Sequence, residues 1–191
     1  MARVRRGRLG GRQWCHAVVA LGGNLGDVPQ TFVRALDLLD DGTTQVTLVS
    51  RLYRSAPLLL PGRAGGSPGG QCPTPPYRNA ACRVRTLLGP KELLRRLQAI
   101  ERQLGRQRGT VWGPRTLDLD LLTFGNRTMQ SRRLTLPHAG IAFRAFVLAP
   151  LRDLHALWPW PQCTLSVNDL LQTNDFCSMG LMDQQLSWIA K

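Results

Sequence analysis

Lysine is nearly missing from this sequence: all but two of its 25 basic residues are arginine, the exceptions being Lys91 and Lys191. Neither lysine follows a glycine, so a phosphate loop built on a Gly-Lys pair is excluded. The protein-kinase signature set is absent as well. Acid is scarce, with 12 Asp and Glu against 25 Lys and Arg and a net charge of +13. The five cysteines, Cys15, Cys72, Cys82, Cys163 and Cys177, include no close pair of the kind that zinc ribbons and dithiol motifs need. An odd, scattered set fits free thiols in a reducing compartment. No apolar run approaches the roughly 18 residues of a membrane span, and the start has no secretory apolar stretch. A cytoplasmic protein is expected.

What remains is ordinary for a globular chain: 43% hydrophobic and 19% charged over 191 residues, a length suited to one compact domain. Guanidinium forks grip oxyanions in bidentate fashion, so the charge suits a polyphosphate ligand or nucleic acid without choosing between them. Residues 1–13 carry Arg3, Arg5, Arg6, Arg8 and Arg12 with three glycines and no acid, which reads as a disordered basic arm. Residues 14–172 read as the folded domain. Residues 173–191 form a tail of unassigned structure, its last fifteen or so expected to pack loosely.

The apolar run Ala17–Leu21 predicts a buried strand ending at Gly22 and Gly23. Asp27 is placed to cap a helix carrying Phe32, Ala35, Leu36 and Leu39 on one face. A second strand is expected over Gln45–Tyr53. Residues 56–76 contain six prolines and five glycines, too many for a helix or interior strand, and read as a long loop serving as a lid. Strand Tyr77–Leu87, helix Pro90–Leu104 closed by Gly105, strand Thr116–Phe124 and helix Phe143–Leu154 follow, with a short helix possible at Leu165–Leu171. This order implies an α+β ferredoxin-like sandwich, a mainly antiparallel sheet with helices packed on it.

The chemistry concentrates in Arg115-Thr116-Leu117-Asp118-Leu119-Asp120-Leu121. Strand side chains alternate between faces, so Asp118 and Asp120 share one face about 7 Å apart while Leu117, Leu119 and Leu121 fill the other. Two carboxylates so close repel unless a cation lies between them, and a hard cation such as magnesium suits their oxygens. Arg106, Arg108, Arg115 and Arg144 supply positive charge around them, the set of parts that transfer of a phosphate-type group requires.

Four segments taken together, Ala20-Leu21-Gly22-Gly23-Asn24-Leu25-Gly26-Asp27, Tyr77-Arg78-Asn79-Ala80-Ala81, Trp112 through Asp120, and Leu136-Pro137-His138 with Arg144-Ala145-Phe146-Val147-Leu148, closely resemble the 6-hydroxymethyl-7,8-dihydropterin pyrophosphokinases of folate biosynthesis. The resemblance covers about residues 15–172. It implies transfer of diphosphate from ATP to the pterin's hydroxymethyl oxygen, with AMP released and two magnesium ions held by Asp118 and Asp120. It places Tyr77 and Phe146 on either side of the pterin ring, Asn79 at its polar edge, and Ala56 and Pro57 nearby. Glu101, Arg106, Arg115, His138 and Arg144 match ATP-contacting positions, and Arg106, Arg108, Trp112 and Arg115 match catalytic ones. The implied partners are ATP and the pterin alone, without nucleic acid or membrane, in a monomer.

The sequence departs from the family pattern at three places. Gly23 replaces a common serine, Ala56 stands where a threonine often precedes Pro57, and Val111 replaces a frequent basic residue. These leave open a catalytically silent pterin- or nucleotide-binding relative, and the basic charge leaves open a nucleic-acid-binding module.

Overall fold

The computed structural model describes residues 11–56, 75–105, 114–142, 144–154, 167 and 169–170, and the backbone of 181–184. Most of the basic arm, residues 57–74 of the lid expected over 56–76, and the segment holding Arg106, Arg108, Val111 and Trp112 lie outside the described residues. The element order is β1 (Cys15–Gly23), α1 (Val28–Leu39), β2 (Thr44–Val49), β3 (Leu52–Ser55), β4 (Tyr77–Thr86), α2 (Pro90–Gln103), β5 (Asp118–Phe124), β6 (Met129–Gln130), β7 (Thr135–Leu136), α3 (Ala145–Asp153) and β8 (Leu181–Gln184). Six strands form one antiparallel sheet in the order β5-β1-β4-β3-β8, with β2 also paired to β4. Strand β1 lies between β4 and the edge strand β5, an antiparallel α+β arrangement that matches the ferredoxin-like sandwich the sequence implies.

Local chemistry explains the two long helices. Asp27 caps α1 by accepting from Gln30 N–H at 3.1 Å, and Val28, Phe32, Ala35, Leu36 and Leu39 are its buried stripe. Pro90 opens α2, and the Glu92 carboxylate reaches back to Gly89 N–H at 2.6 Å. That carboxylate also receives Arg12, whose guanidinium nitrogens lie 2.9 and 3.1 Å from its two oxygens. Leu93, Leu97 and Ile100 of α2 join the α1 stripe and Ala17, Val19, Leu21, Leu119 and Leu121 in one core on one face of the sheet. Helix α3 covers the other face, with Val147, Leu148 and Leu151 packed against Val18, Ala81 and Leu122. Among the described residues no helix is long and apolar enough to cross a membrane.

Where the pattern predicts one strand over Gln45–Tyr53, the chain makes two. The break at Ser50-Arg51 is held by polar groups from elsewhere: Ser50 N–H donates to Ala81 C=O at 2.9 Å, and Ala81 N–H donates to the Ser50 hydroxyl at 2.9 Å. Arg51 N–H donates to the Asp153 carboxylate of α3 at 3.0 Å, which its guanidinium grips from Nε at 3.2 Å and Nη2 at 3.0 Å. The tail also differs from expectation. Its residues 181–184 form β8 on the outer edge of β3, satisfying backbone groups that a bare edge would expose. Strand β5 begins at Asp118 rather than Thr116, and α3 at Ala145 rather than Phe143.

Among the described residues Cys15 and Cys82 are free thiols, and full burial pushes Cys82 up to about 12, which removes it from thiolate chemistry.

Two substitutions test this packing. A Cβ on Gly23 would lie 2.6 Å from the Thr116 carbonyl oxygen, a backbone atom that cannot swing aside. Gly23→Ser is therefore expected to lower the unfolding free energy by about 1–3 kcal/mol in denaturant titrations; an unchanged midpoint contradicts the close approach. At Asp153, burial raises the carboxyl, but hydrogen bonds from the Arg51 side chain and backbone and from the Tyr53 hydroxyl outweigh it and hold the group below the usual aspartate range. A carboxyl depressed in the folded state contributes stability above its unfolded pKa, and that contribution is lost as pH falls through the folded value. Asp153→Ala should cost about 2 kcal/mol at neutral pH, and the difference from wild type should vanish in acid. A penalty that persists at low pH refutes the ionic assignment.

Candidate active site

Strand register builds the site. Gly22 of β1 pairs with Asp118 of β5 on one side and Asn79 of β4 on the other, and Asn79 pairs in turn with Tyr53 of β3. One row across the sheet therefore reads Asp118, Gly22, Asn79, Tyr53, and the next reads Asp120, Ala20, Ala81. Alternation puts these residues on the face away from α1 and α2, since Leu119 and Leu121 belong to the core beneath those helices. Glycine and two alanines form a low floor between the carboxylates and the amide. A Cβ on Gly22 would lie 3.8 Å from both Asn79 Oδ1 and Asp118 Cβ. The two sides of the trough are thus one residue apart.

Asp118 and Asp120 are both half-buried. Arg115 Nη1 donates to Asp118 Oδ2 at 2.6 Å. Among the described residues no cluster of three or more His, Cys, Asp and Glu could hold a metal. The donor set is a pair of hard carboxylates, which suits a cation that keeps some waters and takes further oxygens from a phosphate ligand. It does not resemble a closed all-protein cage.

Asn24 organises the approach to this pair. Buried to 5% exposure, it accepts the Arg115 N–H on Oδ1 at 2.8 Å, donates its own N–H to Arg115 C=O at 2.9 Å, and donates from Nδ2 to Pro75 C=O at 3.1 Å. One side chain fixes both the segment that carries Arg115 and the entry to β4, two residues before Tyr77. Asn24 lies within the first of the four motif segments, but the sequence assigns it no role, because its partners are 51 and 91 positions away.

Beside β5, a turn after Pro137 carries His138. Its N–H donates to Leu122 C=O at 2.8 Å, and Ile141 N–H closes the turn on His138 C=O at 3.1 Å. Gly140 N–H donates to His138 Nδ1 at 3.2 Å, which assigns the ring proton of a neutral imidazole to Nε2. Arg144 at the start of α3 holds its guanidinium carbon 5.9 Å from the Phe146 ring centre, within cation–π range. Phe146 is half-buried and packs on Tyr53 and Ala149.

On the Asn79 side, Tyr77 is half-buried and shares the face of Asn79 by alternation along β4. Asn79 Nδ2 donates to the Ser55 hydroxyl at 2.9 Å, which fixes the orientation of the amide. Ser55 is buried, whereas Ala56, the residue singled out from sequence, is exposed at the end of β3. A hydroxyl thus stands beside Asn79, on Ser55, one position before Ala56. Only the pairing of β3 with β4 reveals this.

Glu101 lies away from the open trough. It is 4% exposed on α2, and its carboxylate accepts Leu119 N–H at 2.8 Å, between the two aspartates along the strand. β5 is an edge strand, so this bond satisfies a backbone donor that the sheet leaves unpaired. Arg106, Arg108, Trp112 and Pro57 are outside the described residues.

A family model described as 7,8-dihydro-6-hydroxymethylpterin-pyrophosphokinase (HPPK) matches residues 18–156. The chain is 40% identical over 165 residues to the 2-amino-4-hydroxy-6-hydroxymethyldihydropteridine pyrophosphokinase of Synechocystis sp., covering 85% of this chain and 78% of that protein. It is 42% identical over 137 residues to the Pseudomonas aeruginosa protein of the same name, covering 71% and 78%. The mitochondrial folate synthesis bifunctional protein of Arabidopsis thaliana is 43% identical over 137 residues, which are 72% of this chain and 23% of that one. Wild-type Plasmodium falciparum HPPK-DHPS, solved with SDX-DHP, superposes with a TM-score of 0.68 at 14% identity, covering 86% of this chain and 45% of that one. At such low identity the superposition speaks for the fold. The chain spans under half of the Plasmodium protein and about a quarter of the Arabidopsis one. With most of its length matched by the family model and by bacterial relatives of similar size, this chain belongs to the 7,8-dihydro-6-hydroxymethylpterin-pyrophosphokinase family.

Proposed function

We propose that this chain transfers the terminal diphosphate of ATP to the hydroxymethyl oxygen of 6-hydroxymethyl-7,8-dihydropterin, the folate-synthesis step, with residues 14–172 as the enzyme domain. The observation that supports the reading is the trough itself: Asp118 faces the oriented Asn79 amide across Gly22, with Asp120 beside it across Ala20 from Ala81, which suits a triphosphate and a flat polar ring side by side.

Asp118 and Asp120 would hold two magnesium ions. When bound, magnesium neutralises charge on the triphosphate and on the departing AMP oxygen. The pterin hydroxyl oxygen forms a bond to the β-phosphorus, the bond from that phosphorus to the α-phosphate bridging oxygen breaks, AMP leaves, and the hydroxyl proton passes to solvent. No side chain need act as base, because positioning and charge carry most of a phosphoryl-type transfer.

The chain's own residues supply that positioning. Tyr77 and Phe146 would stack on the two faces of the pterin, with Asn79, oriented by Ser55, at its polar edge and Ala56 and Pro57 beside it. Arg115, steered by Asn24 and Asp118, and Arg144 direct guanidinium groups at phosphate oxygens, and His138 offers an N–H from Nε2. Arg106, Arg108 and Trp112 are assigned catalytic roles by family resemblance. Glu101 matches an ATP-contacting position, but we assign it the task of holding β5, and with it the pitch of the two aspartates. The protein acts as a cytoplasmic monomer on these two small molecules.

Incubation of the protein with ATP, magnesium and the pterin alcohol should release AMP only when the pterin is present; pterin-independent AMP would mean hydrolysis instead. Asp118→Ala and Asp120→Ala should each lower kcat by roughly 100-fold or more with little change in melting temperature, and near-normal turnover in both removes the metal assignment. Tyr77→Ala should raise the KM for pterin well above any change in the KM for ATP. Equal losses for both substrates count against stacking.

A further inference from the structure

The guanidinium of Arg144 occupies the place where residue 140 would carry a side chain. A Cβ built on Gly140 would stand 2.9 Å from Arg144 Cζ, 2.9 Å from Nε and 3.2 Å from Nη1. The same guanidinium also lies over the Phe146 ring, 5.9 Å from the ring centre. Gly140 does not have a positive φ, so its backbone conformation is open to any residue. The crowding at residue 140 is therefore steric, and its nearest source is the Arg144 guanidinium.

Gly140 also reaches His138, the other side chain read as a phosphate contact. Its N–H, donated to His138 Nδ1 at 3.2 Å, leaves Nε2 as the nitrogen that bears a proton. One small residue thus touches both side chains: its missing Cβ leaves room for the Arg144 guanidinium, and its N–H holds His138 Nδ1. We propose that Gly140 is a positioning residue that sets nucleotide affinity by seating the Arg144 guanidinium against its own backbone and over the Phe146 ring. The proposal rests on the reading of His138 and Arg144 as phosphate contacts.

Substitution by alanine isolates the steric route, because it keeps the N–H that holds His138. The crowded atoms belong to the end of a flexible side chain, so Arg144 can swing off its seat at little cost to the fold. Gly140→Ala should weaken binding of a non-hydrolysable ATP analogue with magnesium about tenfold, the scale of one charge-assisted contact. The KM for ATP should rise in step, while the KM for pterin and the melting temperature stay close to wild type. In an Arg144→Ala background the same change should add no further loss, since its effect passes through that side chain.

Three results would overturn the proposal. They are unchanged analogue binding in Gly140→Ala, additive losses in the double variant, and a fall in melting temperature with equal losses for both substrates. Binding of the analogue is read without turnover, so a wild-type protein that binds it but releases no AMP defeats the reaction proposed above and leaves the Gly140 measurement intact.

Discussion

Everything in the proposed site depends on β1 lying between β4 and β5. Antiparallel pairing on both sides forces Gly22 between Asn79 and Asp118, and Ala20 between Ala81 and Asp120. The sheet thereby does work that loops could not do with the same precision: it sets two carboxylates and an amide at fixed separations on a floor with almost no side chains. The apolar partners of these residues, Leu119, Leu121, Val19 and Leu21, are buried under α1 and α2, so a slip of one residue would exchange the core for the site. Core packing and site geometry are consequences of the same register.

Around that frame, groups distant in sequence hold the parts that the sheet does not reach. Asn24 ties Arg115 to the entry of β4, Glu101 satisfies the edge strand between the aspartates, and Asp153 pins the break between β2 and β3 beneath α3. Each is a buried or half-buried polar group with specific backbone partners, where removal leaves donors or acceptors unsatisfied. Such groups give the trough a single shape. Arg115 brings positive charge to the trough directly, through its contact with Asp118.

Much of this was legible in the sequence, and what was not has a common cause. The alternation of Leu117, Asp118, Leu119, Asp120 and Leu121 gave the two faces of β5 directly, and the apolar spacings gave α1 and α2 with their caps. The break at Ser50-Arg51 was not legible because its cause, Asp153, is 102 residues away. Ser55 has no signal in the sequence because its contact with Asn79 arises only from the pairing of β3 with β4. Gly23 stands in the sequence only as a departure from a common serine, whereas in the fold a Cβ there would lie 2.6 Å from the Thr116 carbonyl oxygen. Periodicity reports which face a residue occupies. It does not report what the fold brings against that face.

The most direct test of the trough is a crystal structure with magnesium, a non-hydrolysable ATP analogue and the pterin alcohol bound together. The account predicts metal-bound phosphates against Asp118 and Asp120, the pterin ring against Asn79, and the hydroxymethyl group reaching across Gly22 toward the β-phosphorus. Ligands bound on another surface, or carboxylates of Asp118 and Asp120 turned away from the nucleotide, would contradict it.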